Sequence, residues 1–390
     1  MVLSGAAVVT PAGVLDPATI VIEHGVIVEV RAGARPADRG YEGHLIVPGF
    51  VDVHVHGVDG VDSLATPDGV EQMAARLPRY GVTAFCPTTV ACAPGDLKRV
   101  LAAAARMRAD RPGRGARVAG AHLESNFINA EYRGAQPADC LRSPLDANPP
   151  AAAGFTASGI LDEIDRAGRS VAIVTLAPEL DGGLDLVRRL AGAGLRVSLG
   201  HSAASYEQGI AAIEAGARHA THLFNRMPPF SHRAPGLVGA ILDRAEVSAE
   251  LIVDGCHVHP AMLRAALRAL GPDRAIAITD GTAVSGLPAG TAAHLGSARL
   301  TAGPRVALLD DGTWAGSVLT MDAAFRNLAT TFGCGVVEAA RLCAANPARA
   351  LGLADSGRIA AGAAADLVVL DADLRVAQTV IGGTTVFQRS

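Results

Sequence analysis

Eight short apolar runs, each followed by a more polar stretch, occupy residues 48–282 and leave the chain few ways to fold. They are FVDVHVHG, VTAFCPTTV, RVAGAHLE, SVAIVTLAP, RVSLGHS, HATHLFN, SAELIVDG and AIAITDG. Helix-forming segments such as GVEQMAARLPRYG, LVRRLAGAG, YEQGIAAIEAG and PAMLRAALRALG fall between them. Strands that are apolar on both faces and separated by helices build a parallel sheet covered on both sides. Eight such units predict an α/β fold with a closed, TIM-type (β/α)8 barrel rather than an open sheet. No G-x-G-x-x-G follows the first strand and no G-x-x-x-x-G-K-[ST] occurs, so neither dinucleotide nor P-loop binding is expected.

The two ends of the chain read differently. AAVVT and ATIVIEHGVIVEVRAG near the start, and ADLVVLDADLRVAQTVIGGTTVF near the end, alternate Val and Ile with Gly and Asp turns. Neither piece is long enough to bury a core alone. The expectation is that residues 1–47 and 350–390 meet in one small, β-sandwich-like domain, with residues 48–349 forming the barrel. A total of 390 residues with 49% hydrophobic content suffices for both units. The Pro/Ala-rich stretch around Pro144–Ala153 reads as a loop.

Net charge is −4 and no block of like charge stands out, which argues against a nucleic-acid partner. No uninterrupted apolar run reaches the length of a membrane span, and the N-terminus lacks the basic region of a signal peptide. The cysteines (Cys86, Cys92, Cys140, Cys256, Cys334, Cys343) are scattered without a C-x-x-C pair, which fits reduced thiols in the cytoplasm.

The strand ends carry the chemistry. His54 and His56 lie two apart on one strand, so both side chains point to one face. Glu124, His201 and His222 close three further strands, and Asp280 ends a fourth apolar run. In a (β/α)8 barrel, catalytic groups come from the C-terminal ends of the strands. Imidazole and carboxylate together suit one or two divalent ions, zinc first, with iron, manganese or cobalt as alternatives. Lys98, the sole lysine, sits in a helical segment far from any strand end, so a carboxylated-lysine bridge between metals is not expected. The pattern predicts hydrolysis of a carbonyl compound by metal-activated water, with Asp280 as general base and acid. His257 in DGCHVHP and Arg233 in HRAPGL are candidates for gripping an anionic group. Each of these residues has a plainer reading when taken singly: a core histidine, a turn aspartate, a surface ion pair.

Several segments taken together carry a family resemblance: PGFVDVHVHG (48–57), GAHLE (120–124), GHSAASYEQGIAAIEAGA (200–217), THLFNRMPPFSHRAPGLVGAIL (221–242), DGCHVHP (254–260), ITDGT (278–282) and AGSVLTM (315–321). The chain resembles the amidohydrolase superfamily and, within it, the N-acetylglucosamine-6-phosphate deacetylase family, over essentially its whole length. The resemblance implies a metal-dependent hydrolase that converts N-acetylglucosamine 6-phosphate to glucosamine 6-phosphate and acetate. It implies Glu124, His201 and His222 as ligands of the main ion, His54 and His56 as ligands of a second, and Asp280 as the acid/base. It further implies Asn225 at the substrate, and His257 and Arg233 at the sugar phosphate, the arginine coming from the neighbouring subunit of a homodimer.

Three sites depart from the family pattern. Ser125-Asn126 replaces Gly-Pro after the metal glutamate, which is expected to add polar groups near the acyl or sugar site. Gln136 stands where several relatives have a histidine at the reacting carbonyl; it can donate to an oxyanion but carries no charge. Arg226 stands where a small residue is usual. These departures keep open the same hydrolysis on N-acetylgalactosamine 6-phosphate or another N-acyl compound. An inactive sugar-phosphate-binding paralogue is a third reading, disfavoured by the intact ligand set.

Overall fold

A computed structural model describes residues 1–110, 115–147 and 154–389; the expected loop at Pro144–Ala153 lies partly outside them. Each of the eight apolar runs forms a strand. They are Phe50–Val55 (β1), Val82–Thr89 (β2), Arg117–Val118 with Ala121–Glu124 (β3), Val171–Leu176 (β4), Arg196–Leu199 (β5), His219–Ala220 (β6), Ser248–Ile252 (β7) and Ala275–Ile278 (β8). Neighbours pair in parallel from β1 to β8 in chain order. The ring closes where Val55 bridges Gly281 in parallel and the Asp280 N–H donates to the His54 carbonyl at 3.0 Å. Every residue of β1, β2 and β8 is buried, which is why these strands lack polar alternation.

The helices between the strands are held by their ends. The helix Tyr206–Glu214 begins at a capping box: the Ser205 hydroxyl accepts from Gln208 N–H, and the Gln208 side chain accepts from Ser205 N–H. Arg274 ends the helix Pro260–Arg274, and its guanidinium donates to the carbonyls of Ile241, Leu242, Arg244, Leu270 and Ala269. One side chain thereby ties two adjacent helices to the loop entering β7.

Segments from both ends of the chain share a sheet. Leu367–Leu370 pairs antiparallel with Leu45–Pro48, which pairs in parallel with Ala7–Thr10. A second sheet joins Val2–Ser4, Ala18–Glu23, Val26–Ala32 and Arg39–Gly40. Between the sheets lies an apolar cluster of its own, with Leu3, Ile20, Ile27, Ile46, Leu367 and Val380 at its centre. The Arg117–Asp366 ion pair ties β3 to the residue before Leu367.

One element was not anticipated. After β8 the chain makes a four-stranded antiparallel sheet, Ala292–Leu295, Ala298–Ala302, Val306–Leu309 and Trp314–Ser317. Its sequence signal is short: alternating residues broken by Gly296, Gly303-Pro304 and Gly312. This sheet reaches back to the mouth of the barrel.

Candidate active site

The strand ends bring six of the candidate residues into one buried group. Glu124 Oε1 lies 2.8 Å from His201 Nε2 and 2.9 Å from His222 Nε2, and these two nitrogens are 3.0 Å apart. Beside them, Asp280 Oδ1 is 3.4 Å from both His54 Nε2 and His56 Nε2. Glu124 joins the two sets, its Oε2 lying 3.4 Å from His56 Nε2. Three of these residues leave their strands with left-handed backbones: His201 (φ 47°), His222 (φ 28°) and Asp280 (φ 47°). Such conformations are unfavourable for side-chain-bearing residues and cluster where function demands them. Gly316 (φ 68°) makes room for Asp280, since a Cβ there would come within 2.7 Å of the Asp280 carbonyl.

The donor set fits divalent cations, and the tautomers show why. His201 Nδ1 donates to the Tyr132 carbonyl at 2.7 Å, and His54 Nδ1 donates to Glu250 Oε2 at 2.9 Å. In the neutral rings this leaves each Nε2 a bare lone pair aimed at carboxylate oxygens and other imidazoles, an arrangement that a cation resolves. The field points the same way. Burial works against a charged ring, but Glu250, Asp280 and Glu124 outweigh it and raise His54 to about 9. At His56 the same contest, with Asp280 and Glu124 prevailing, gives about 10. Metal and protons compete for such nitrogens. The two sets, Glu124/His201/His222 and His54/His56/Asp280, each place their ligand atoms within 4.8 Å of one another.

Asp280 is poised as a carboxylate. Burial would raise its pKa, but His56 and His54 outweigh that and hold it below the usual range. It can therefore accept a proton at neutral pH.

A cavity of 440 Å³ opens above this group. Every candidate residue lines it except His54, which lies beneath the others, and Arg233, which is exposed on the 224–235 loop outside its own chain's cavity. His257 donates from Nδ1 to Asp254 Oδ2 at 2.7 Å. Burial disfavours its charged form, yet Asp254 prevails and raises its pKa. The Asn225 amide donates to the His222 carbonyl at 3.1 Å, bracing the ligand's loop.

One sequence expectation about polar groups needs correction. Ser125 and Asn126 are buried in scaffold bonds and do not line the cavity. The Ser125 hydroxyl donates to the Thr175 carbonyl at 2.6 Å, while the Asn126 amide donates to the Cys92 and Cys140 carbonyls at 2.8 and 2.7 Å. They replace the rigidity of a Gly-Pro turn with hydrogen bonds. Gln136 does line the cavity, but its amide donates to Glu124 Oε2 and its oxygen accepts from Ala91 N–H at 2.7 Å. In this geometry it steadies a ligand of the metal set.

Sequence reasoning missed Glu250 and Trp314. Glu250, fully buried on β7, holds His54 Nδ1 and His219 Nε2 at 2.9 Å each. Burial pushes its pKa up, but His54 and His219 outweigh this and hold it well below the carboxylate range. Its signal was a lone acid inside an apolar run, SAELIVDG. Trp314 stands at the cavity rim, edge-on to His257 with ring centres 5.3 Å apart, carried there by the unanticipated sheet.

This barrel, with paired histidine–carboxylate sets at its strand ends, defines a class: the chain belongs to the amidohydrolase family, whose model matches residues 45–386. That family is metal-dependent, and membership makes the chain a hydrolase of amide bonds. Among its relatives, the N-acetylglucosamine-6-phosphate deacetylase of Rattus norvegicus is 39% identical, covering 96% of this chain and 90% of the other. The N-acetylgalactosamine-6-phosphate deacetylase of Escherichia coli O157:H7 is 34% identical over 98% of both chains. A solved structure of the Mycobacterium smegmatis N-acetyl-D-glucosamine-6-phosphate deacetylase, a mutant in complex with N-acetyl-D-glucosamine-6-phosphate, matches with a TM-score of 0.90. It is 36% identical, covering 100% of this chain and 99% of that one.

Proposed function

We propose that this chain hydrolyses the N-acetyl group of N-acetylglucosamine 6-phosphate, releasing glucosamine 6-phosphate and acetate. The observation that carries the reading is one cavity with the Glu124/His201/His222 and His54/His56/Asp280 sets at its floor and His257 on its wall. Glu124, His201 and His222 would hold the main ion, and His54 and His56, with Asp280, a second; zinc is our first choice. When bound, such ions supply Lewis-acid polarisation and make water a nucleophile at neutral pH.

The chain's own residues do the rest. Asp280 accepts the proton of the attacking water as its oxygen bonds to the acetyl carbon. It then delivers that proton to the nitrogen as the C–N bond breaks. Gln136 and Glu250 keep Glu124 and His54 in place. Asn225 positions the sugar. His257, charged through its contact with Asp254, binds the phosphate, joined by Arg233 from a second copy in a homodimer. Residues 1–47 and 350–390 act as a small β domain that braces the 48–349 barrel. The cysteines are all free, which supports a cytoplasmic setting. No helix among the described residues is long and apolar enough to cross a membrane.

The test is acetate release by the zinc-loaded protein from N-acetylglucosamine 6-phosphate, run beside N-acetylgalactosamine 6-phosphate and unphosphorylated N-acetylglucosamine. Fastest turnover of the first supports the proposal. Preference for the galactosamine compound would shift it to the activity named for the 34%-identical relative. No release from any of them would overturn it.

A further inference from the structure

The cavity wall holds a second cation that the established pattern does not require. Arg226 lines the cavity with His257, four residues beyond His222. Its charge works against protonation of His257, which Asp254 favours. Among the described residues its guanidinium has neither an ion pair nor a hydrogen bond, and Glu131, the one lining carboxylate outside the metal sets, does not pair with it.

The surroundings are shaped to this side chain. Gly134, with φ +61°, lies directly against the guanidinium: a Cβ there would come within 2.7 Å of Arg226 Nε and 3.2 Å of Cζ. Arg226 itself has φ 53°, a conformation that disfavours any side chain, and its carbonyl accepts from the N–H of Ser202 at 3.1 Å. The loop is thereby pinned beside metal-ligand candidate His201, and the arginine's distance from the chemistry is set by backbone. Arg233, by contrast, is exposed and does not line this cavity. An unpaired guanidinium beside an imidazole that Asp254 favours in its charged form suits an anion, and arginine binds phosphate oxygens in pairs.

We propose that Arg226 is a specificity-determining residue that binds the substrate's phosphate in cis, together with His257, so that each protomer carries its own guanidinium for the anionic end. The inference rests on the reading of a phosphorylated amino sugar as substrate.

The experiment compares wild type with Arg226→Ala and Arg226→Lys on N-acetylglucosamine 6-phosphate and on unphosphorylated N-acetylglucosamine. For Arg226→Ala the expected result is a KM for the phosphorylated substrate raised about 10- to 100-fold with kcat nearly held, the pattern of lost ground-state binding. Arg226→Lys should recover part of it. Activity on the unphosphorylated sugar should stay within about twofold, which also reports that the loop is intact. Unchanged KM in Arg226→Ala, with wild type still preferring the phosphate, would overturn the assignment. Equal losses on both substrates would reduce Arg226 to a loop-shaping role and overturn it too. A wild type indifferent to phosphate would instead overturn the substrate reading, and the inference with it.

Discussion

Asp280 and His257 work through charge states set by their neighbours, and each gives a measurable expectation. Asp280→Asn keeps the shape but cannot take a proton, so kcat should fall by about 10²- to 10⁴-fold while the protein still takes up metal at the Glu124 set. Activity assay beside metal analysis checks this; an active Asp280→Asn would refute the role. His257 has a raised pKa, so its charge is present below that value and is lost as pH rises through it. KM for the phosphorylated substrate should therefore climb on the alkaline side. In Asp254→Asn, where only the more weakly acting Asp280 still opposes burial, that climb should begin at lower pH; a KM profile identical to wild type would show that His257 does not bind the phosphate. At this scale the sequence was most legible where a polar residue ended an apolar run, as with His201 or Asp280. Glu250 was hidden because its partners, His54 and His219, are distant in sequence and only the closed barrel brings them together. Ser125 and Asn126 were misread because sequence gives a residue's chemistry without its direction.

Strands were read correctly because burial on both faces leaves continuous apolar runs of the length a barrel needs. The sheet spanning Ala292–Ser317 escaped because its strands are short and half-exposed, with Arg299 in one of them and Arg305 in the turn between two. Helix ends are harder still to foresee, and Arg274 is the instructive case. A cation at the C-terminal carbonyls of two helices opposes their negative dipole ends and satisfies several carbonyls at once. Arg274→Ala should lower stability by about 2 kcal/mol, given that charge-assisted hydrogen bonds each contribute about 1.5–3 kcal/mol and that this site is part-exposed. Thermal melting would register the loss, with activity at 25 °C unchanged. An unshifted melting temperature would mean that water replaces the guanidinium without cost.

Across the whole molecule, the proposed metal ligands come from five different strand ends, β1, β3, β5, β6 and β8, so an ion bound there would fasten together distant parts of one ring. Removing the ion with a chelator should abolish turnover and lower the melting temperature, because a ligand that binds only the folded state stabilises it. Far-UV circular dichroism should nonetheless survive, since the core clusters of barrel and terminal sheets are packed without the site. Zinc should restore both quantities; turnover that persists in metal-free protein would refute the proposed chemistry. The joining of the two termini was foreseeable because neither could close a core alone.

Trp314 has one more consequence. It is the chain's single tryptophan, about half exposed at the cavity rim against His257. Every photon of indole emission from this protein therefore originates beside the proposed substrate. Occupancy of the cavity should change the emission's intensity and colour as water is displaced from the ring. A titration with glucosamine 6-phosphate would then give an affinity from the unlabelled enzyme. A spectrum blind to saturating ligand would place the sugar elsewhere.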